Sequence, residues 1–154
     1  MRLLLTLTPL LLAISVCACS SGKSKGDGAP PPHQSTRIED VTWQLVDVQG
    51  KGAQPVPAGA TAPNLRLSAA DKRFSGFSGV NQFSGGYQLE GQSLKFGAVA
   101  MTRRAGKPEY MQQEAAFSLA LMNTASWRAT SKAHIELLNA AGRPLASFAA
   151  QNLQ

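Results

Sequence analysis

The sequence predicts a mainly β domain with one α-helix: an antiparallel, curled or barrel-like sheet of about eight strands, packed by one late helix. Three observations carry this expectation. Runs with apolar residues at alternate positions recur between residues 41 and 149, which is the period of a half-buried strand. Glycine, proline and asparagine punctuate these runs. One stretch alone, 108–122, spaces its apolar residues as a helix does.

VTWQLVDV (41–48) alternates Val41, Trp43 and Leu45 with polar neighbours, and Val48 falls out of step, so a slip is expected near its end. A loop rich in Gly, Pro and Ala (50–63) follows. NLRLSA (64–69) sets Leu65 and Leu67 on one face. In FSGFSGVNQFSG (74–85), Phe-Ser-Gly recurs at Phe74, Phe77 and Phe83. The spacing is too short and too uneven for a solenoid or propeller repeat, whose period is about 20–50 residues. Glycine there suits strands that bend and reverse. GYQLE pairs with SLKFG (93–97) through Glu90-Gly91-Gln92. SWRATS (126–131), HIELLN (134–139) and PLASFA (144–149) close the order, with a turn from Asn139 to Gly142.

Pro108 and Glu109 suit a first helical turn. Tyr110, Met111, Phe117, Leu121 and Met122 are expected on the core side of this helix, with Glu109, Gln112 and Gln113 opposite. The methionines read as core filling rather than as a ligand-gripping surface.

The N-terminus is of another kind. Met1-Arg2 and an apolar run from Leu3 to Val16 form a signal-peptide core, too short for the ~20 residues that span a bilayer. Val16-Cys17-Ala18-Cys19 resembles a bacterial lipobox, which implies cleavage between Ala18 and Cys19 and a covalent lipid on the Cys19 sulfur. Ordinary secretion, with Cys19 free or paired, is the alternative. It lacks a partner, because Cys17 is the one other cysteine and would leave with the signal. Residues 20–36, rich in Ser, Gly, Pro and Lys, read as a disordered tether with an r.m.s. reach of roughly 20–25 Å. The expected organisation is a signal peptide (1–18), a lipidated cysteine and tether (19–37), and one domain (38–154). Ser20 after Cys19 places the anchor in the outer membrane, facing the periplasm.

Of the formal net charge of +6, the body carries 11 − 8 = +3, and its basic residues are scattered, so nucleic acid is not an expected partner. The tether's lysines suit weak attraction to anionic headgroups. Within the body, residues 38–154, no phosphate loop, G-x-S-x-G elbow or spaced metal-ligand motif occurs. No catalytic residue, metal or cofactor is expected, and His134 reads as a structurally paired strand histidine. From its residue type, Asn81 reads as a side chain capping a turn through its own backbone.

Three separated blocks carry a family resemblance. Trp43-Gln-Leu45 is similar to an opening "W-x-L". Gly79-Val80-Asn81, followed by Gly85 and Tyr87, is similar to "G-C-N-x-x-x-G-x-Y". Phe96-Gly97 with Thr102-Arg103-Arg104-Ala105 is similar to "f-g-x-x-x-x-T-x-M-A-C". In this order, over about residues 40–150, they resemble the META domain of HslJ-like heat-shock lipoproteins. Trp43, Gly79, Asn81, Gly85, Tyr87 and Thr102 are then structural signature positions. Val80 and Gly106 stand where the family has cysteines, which the resemblance implies are disulfide partners, and Arg104 stands at its methionine.

The resemblance implies an envelope lipoprotein linked to stress or drug tolerance, with no defined reaction. The expected function is a non-catalytic binding module, held at the membrane by its lipid and engaging an unknown envelope protein or lipid. Loops 50–63 and 102–107 are the expected binding surface, and Arg103, Arg104 and Lys107 form a cationic cluster there. The alternative is a carrier or pilot-type module that takes an acyl chain or hydrophobic peptide inside the barrel.

Overall fold

The computed structural model describes residues 36–151. The signal peptide, Ala18, Cys19 and the tether through residue 35 lie outside the described residues. Alternation in the sequence becomes alternation of burial. Strand β1 (Thr42–Val48) buries Trp43, Leu45 and Val48. A bulge between Leu45 and Asp47 against the last strand turns Val48 back inward, which is the slip its spacing announced.

Then come β2 (Lys51–Gly52), β3 (Asn64–Ser68), β4 (Arg73–Phe77), β5 (Gln82–Glu90), β6 (Ser93–Phe96) and β7 (Ala100–Met101). Helix α1 (Pro108–Met122) precedes β8 (Ser126–Ser131), β9 (His134–Leu138) and β10 (Pro144–Ala150). Eight of these strands form an antiparallel ring in the order β1-β3-β4-β5-β6-β8-β9-β10, and β10 returns to β1. The two-residue strands prolong shared edges: β2 pairs β1 beyond β3, and β7 pairs β5 beyond β6. The ring is not a regular barrel. Its seam between β6 and β8 has one paired position, Ser93 with Ser126.

Side chains fill the interior. Trp43, Phe74, Phe117, Phe148, Leu65, Leu67, Leu94, Ile135 and Leu137 are fully buried there, each contributing about 1.5–3 kcal/mol through removal from water. Phe117 of α1 sets its ring edge-on to Phe83, with centroids 5.2 Å apart. It meets Phe148 at 5.7 Å. Phe96 is half-buried, with its ring against Phe74 at 4.9 Å. The Phe-Ser-Gly run thus builds β4 and β5, whose Phe74 and Phe83 point inward. Gly85 stands opposite Phe74, and a Cβ there would lie 2.6 Å from the Phe74 ring. Only glycine lets that ring lie flat against the strand.

The helix corrects one expectation. Its buried residues are Gln113, Glu114, Phe117, Ala120 and Leu121, whereas Met122 is 64% exposed and Tyr110 and Met111 are half-buried. Helical spacing located Phe117 and Leu121 correctly. It put Gln113 in solvent because no periodicity shows that a polar residue will find a buried partner.

Candidate functional site

Ser78, Asn81, Gln113 and Glu114, four of the five buried polar residues described, converge where the 78–81 turn, the 102–107 loop and the first turns of α1 meet. Asn81 is 2% exposed, and its side-chain amide is fully used. Its Oδ1 accepts from Thr102 Oγ1 at 2.8 Å and from the Arg104 amide at 2.7 Å. Its Nδ2 donates to the Arg104 carbonyl at 3.1 Å and to Glu114 Oε1 at 3.0 Å. Asn81 therefore does not cap its own turn, as its residue type suggested. Ser78 does that: its Oγ accepts from the Asn81 amide at 3.0 Å and donates to Glu114 Oε2. Asn81 is free to reach across because the turn is already closed.

Glu114, 7% exposed, receives these bonds from Ser78 and Asn81. Neutral donors hold its carboxyl without a cation. Gln113 beside it donates from Nε2 to the Ser78 carbonyl at 3.1 Å. Its Oε1 accepts from the Gln54 amide at 2.6 Å. Tyr110 Oη donates to the Pro55 carbonyl at 2.9 Å. The helix thereby holds the 50–63 loop against the turn that holds the 102–107 loop. The two expected surface loops share one face.

Between them lies a shallow groove of about 340 Å³, walled by Val56, Pro57, Pro63, Phe77 and Tyr110, with Lys107 at its edge. Arg103, Arg104 and Lys107 are all exposed. Among the described residues the ion pairs are Arg37–Asp40, Lys72–Glu39 and Arg128–Glu136, so none of the three cations is paired within that set. No described buried side-chain polar atom lacks a partner. No group of three potential metal ligands occurs among the described residues.

A family model for the META domain matches residues 36–152. The chain belongs to the META domain family. No curated protein matches it. Three solved structures share the fold of this META domain. One, a protein from Burkholderia xenovorans determined by NMR, has 24% identity and a TM-score of 0.60, covering 94% of this chain and 99% of that one. A second NMR structure has 24% identity and a TM-score of 0.56, covering 73% and 90%. The third, a crystal structure of a DUF4847 family protein from Bacteroides vulgatus, has 19% identity and a TM-score of 0.53, covering 76% and 96%. The family match and these structures give no sign of catalysis.

Within the META domain, each signature position has a physical task. Trp43 lies in the core and donates from Nε1 to the Ile38 carbonyl at 2.8 Å. Thr102 accepts from the Gln82 amide at 3.1 Å while donating to Asn81. Gly79 adopts φ of +109°, a conformation that a side chain would strain. Val80 Cβ would stand 3.4 Å from a Cβ added at Gly106. The two positions at which the resemblance implies a cysteine pair are neighbours here.

Tyr87 is inward-facing, and its hydroxyl donates to Glu39, whose Oε1 also accepts from Lys72 Nζ at 2.8 Å. Hydrogen bonds from Lys72 and then Tyr87 hold the Glu39 carboxyl below its usual range. Burial, then the Glu39 carboxylate, raises the Tyr87 phenol well above its ordinary value. This cluster fastens the start of the META domain onto β3, β4 and β5. His134 is exposed at the β8–β9 hairpin, its Nδ1 3.0 Å from Ser131 Oγ, apart from the two-loop face. Sequence reasoning missed Ser78, Gln113 and Glu114. For Gln113 and Glu114 the one available signal was polar residues at helical positions i and i+1 that interrupt an apolar face.

Proposed function

We propose that this chain is an exported envelope lipoprotein, anchored through Cys19, whose META domain is a non-catalytic binding module. The observation that carries this reading is how the buried polar groups are used. Ser78, Asn81, Gln113 and Glu114, joined by the more exposed Thr102, spend their hydrogen bonds on one another and on backbone, so they position loops rather than await a substrate. What they position is a pair of exposed loops on one face. A role in envelope stress or drug tolerance belongs to the same proposal.

An acyl carrier would need a vacant apolar interior. In this ring that volume holds Trp43, Phe74, Phe117 and Phe148, which favours surface binding. The test is the mature chain isolated from native membranes. Mass spectrometry should show a lipid-modified N-terminus at Cys19, and Cys19→Ser should release the chain or stall its processing. Affinity capture of the anchored form should retain a defined envelope protein or lipid. A mature N-terminus elsewhere would sink the anchor. Turnover of a small substrate by the purified chain would sink the non-catalytic reading.

A further inference from the structure

Loop 53–63 exposes Pro55, Val56, Pro57, Ala58 and Ala60, and Val56 is 36% exposed. No residue from Gly52 to Leu65 is charged. Lys107 shares a groove with Val56, and exposed Arg103 and Arg104 precede it. Glu109 follows, also exposed, and leaves the face cationic. An apolar loop tip flanked by cations suits the boundary between acyl chains and anionic headgroups.

The chief cost of placing a loop at such a boundary is desolvating its backbone. Here part of that backbone, chiefly at the base of the loop, has no water to lose. Pro55, Pro57 and Pro63 have no N–H. The amides of Ala53, Gln54 and Ala60 donate to Val46 O at 2.8 Å, Gln113 Oε1 at 2.6 Å and Pro57 O at 3.0 Å. The carbonyls of Pro55, Ala62 and Pro63 accept from Tyr110 Oη at 2.9 Å, Asn64 Nδ2 at 2.9 Å and Leu45 N at 2.8 Å.

We propose that loop 53–63 and the Arg103–Arg104–Lys107 cations form a membrane-docking face. The apolar tip sits at the headgroup level of an anionic leaflet, and the cations meet its phosphates. This deepens the proposed function and rests on the domain being held at a membrane. Anchoring through Cys19, on which this rests, makes even a weak contact effectively intramolecular. Docking fixes which side of the ring faces away from the lipid.

The test uses unlipidated chain beginning at Ser20, whose ring closes between β1 and β10. It should sediment with vesicles of phosphatidylcholine containing phosphatidylglycerol at low salt, and not with phosphatidylcholine alone. A Val56→Trp chain should show blue-shifted emission from the added indole on binding. Combined Arg103→Glu, Arg104→Glu and Lys107→Glu should lower association by at least about tenfold with an unchanged melting temperature. No association with the anionic vesicles overturns the proposal, as does association that survives the triple reversal. Added-indole emission that stays unshifted on bound vesicles, or capture of an acidic protein by these cations without vesicle binding, also overturns it. The anchor is read separately from the mass of the mature N-terminus, so failure of one is distinguishable from failure of the other.

Discussion

Val80 and Gly106 face each other across the site, with 3.4 Å between the Val80 Cβ and the position of a Cβ added at Gly106. That separation is just under the spacing of bonded cysteines, about 3.5–4.5 Å. Val80→Cys with Gly106→Cys should therefore oxidise after a shift of a few tenths of an ångström and raise stability by about 2–4 kcal/mol. Thiol titration and melting with and without dithiothreitol check it. The parent residues 36–151 contain no cysteine, so their melts should coincide under both conditions. Two free thiols persisting under oxidant would show that the loops move apart in solution.

Asn81→Ala should cost about 2–4 kcal/mol, because it strands the Arg104 backbone groups and half of the Glu114 carboxylate without partners. Asn81→Asp sets a second carboxylate beside Glu114, so its deficit should shrink as pH falls and one of the pair takes a proton. Urea unfolding at several pH values reads both. Equal deficits for Asn81→Asp at neutral and acid pH would contradict the contact.

Gly85→Ala and Gly86→Ala make a matched pair one residue apart. At Gly85 the added methyl meets the Ala98 carbonyl and, at 2.6 Å, the Phe74 ring, whereas at Gly86 the nearest atom is the Lys72 carbonyl at 3.9 Å. The first should cost about 1–3 kcal/mol or more, in the manner of an overpacked core. The second should fall within about 0.5 kcal/mol of the parent. Melting temperatures of equal size would contradict the packing of Phe74.

The Tyr87–Glu39 contact makes stability pH-dependent on both sides. Glu39 titrates below its ordinary value in the fold, so its contribution is present above that value and fades as pH falls through the folded value. Tyr87 titrates above its ordinary value. Its contribution is full below the unfolded phenol's pKa, about 10, and is lost as pH rises toward the folded value. Tyr87→Phe should flatten the alkaline limb of a melting-temperature profile and Glu39→Gln the acid limb. Phenolate absorbance should show one of the two tyrosines ionising only on unfolding.

Most of the ring was legible in local pattern, because each strand's inward residues alternate with polar ones and each hairpin carries its own turn residues. Pro108 placed the helix start. The polar centre was not legible. Gln113 and the Gln54 amide are 59 positions apart, and Ser78 and Glu114 are 36 apart. Their burial depends on partners that no local period encodes. Asn81 misled for the same reason, since its residue type favours a turn cap and the tertiary fold gives that task to Ser78. The two loops were each legible as exposed, but Gln113 and Tyr110 bring them together. Met122 lies beyond the last helical residue that touches the ring, so its apolar character carried no positional information.

The pairing of β1 with β10 joins Trp43 to Ala150, so the first and last strands of the ring must both exist before either is complete. A chain emerging N-terminus first presents β1 with β3 along one edge and a bare edge along the other. Nothing local can cover that edge, and its partner arrives with the final residues. Hairpins such as β3–β4 and β4–β5 can form as they emerge, but closure of the ring is held back until β10 is free to pair.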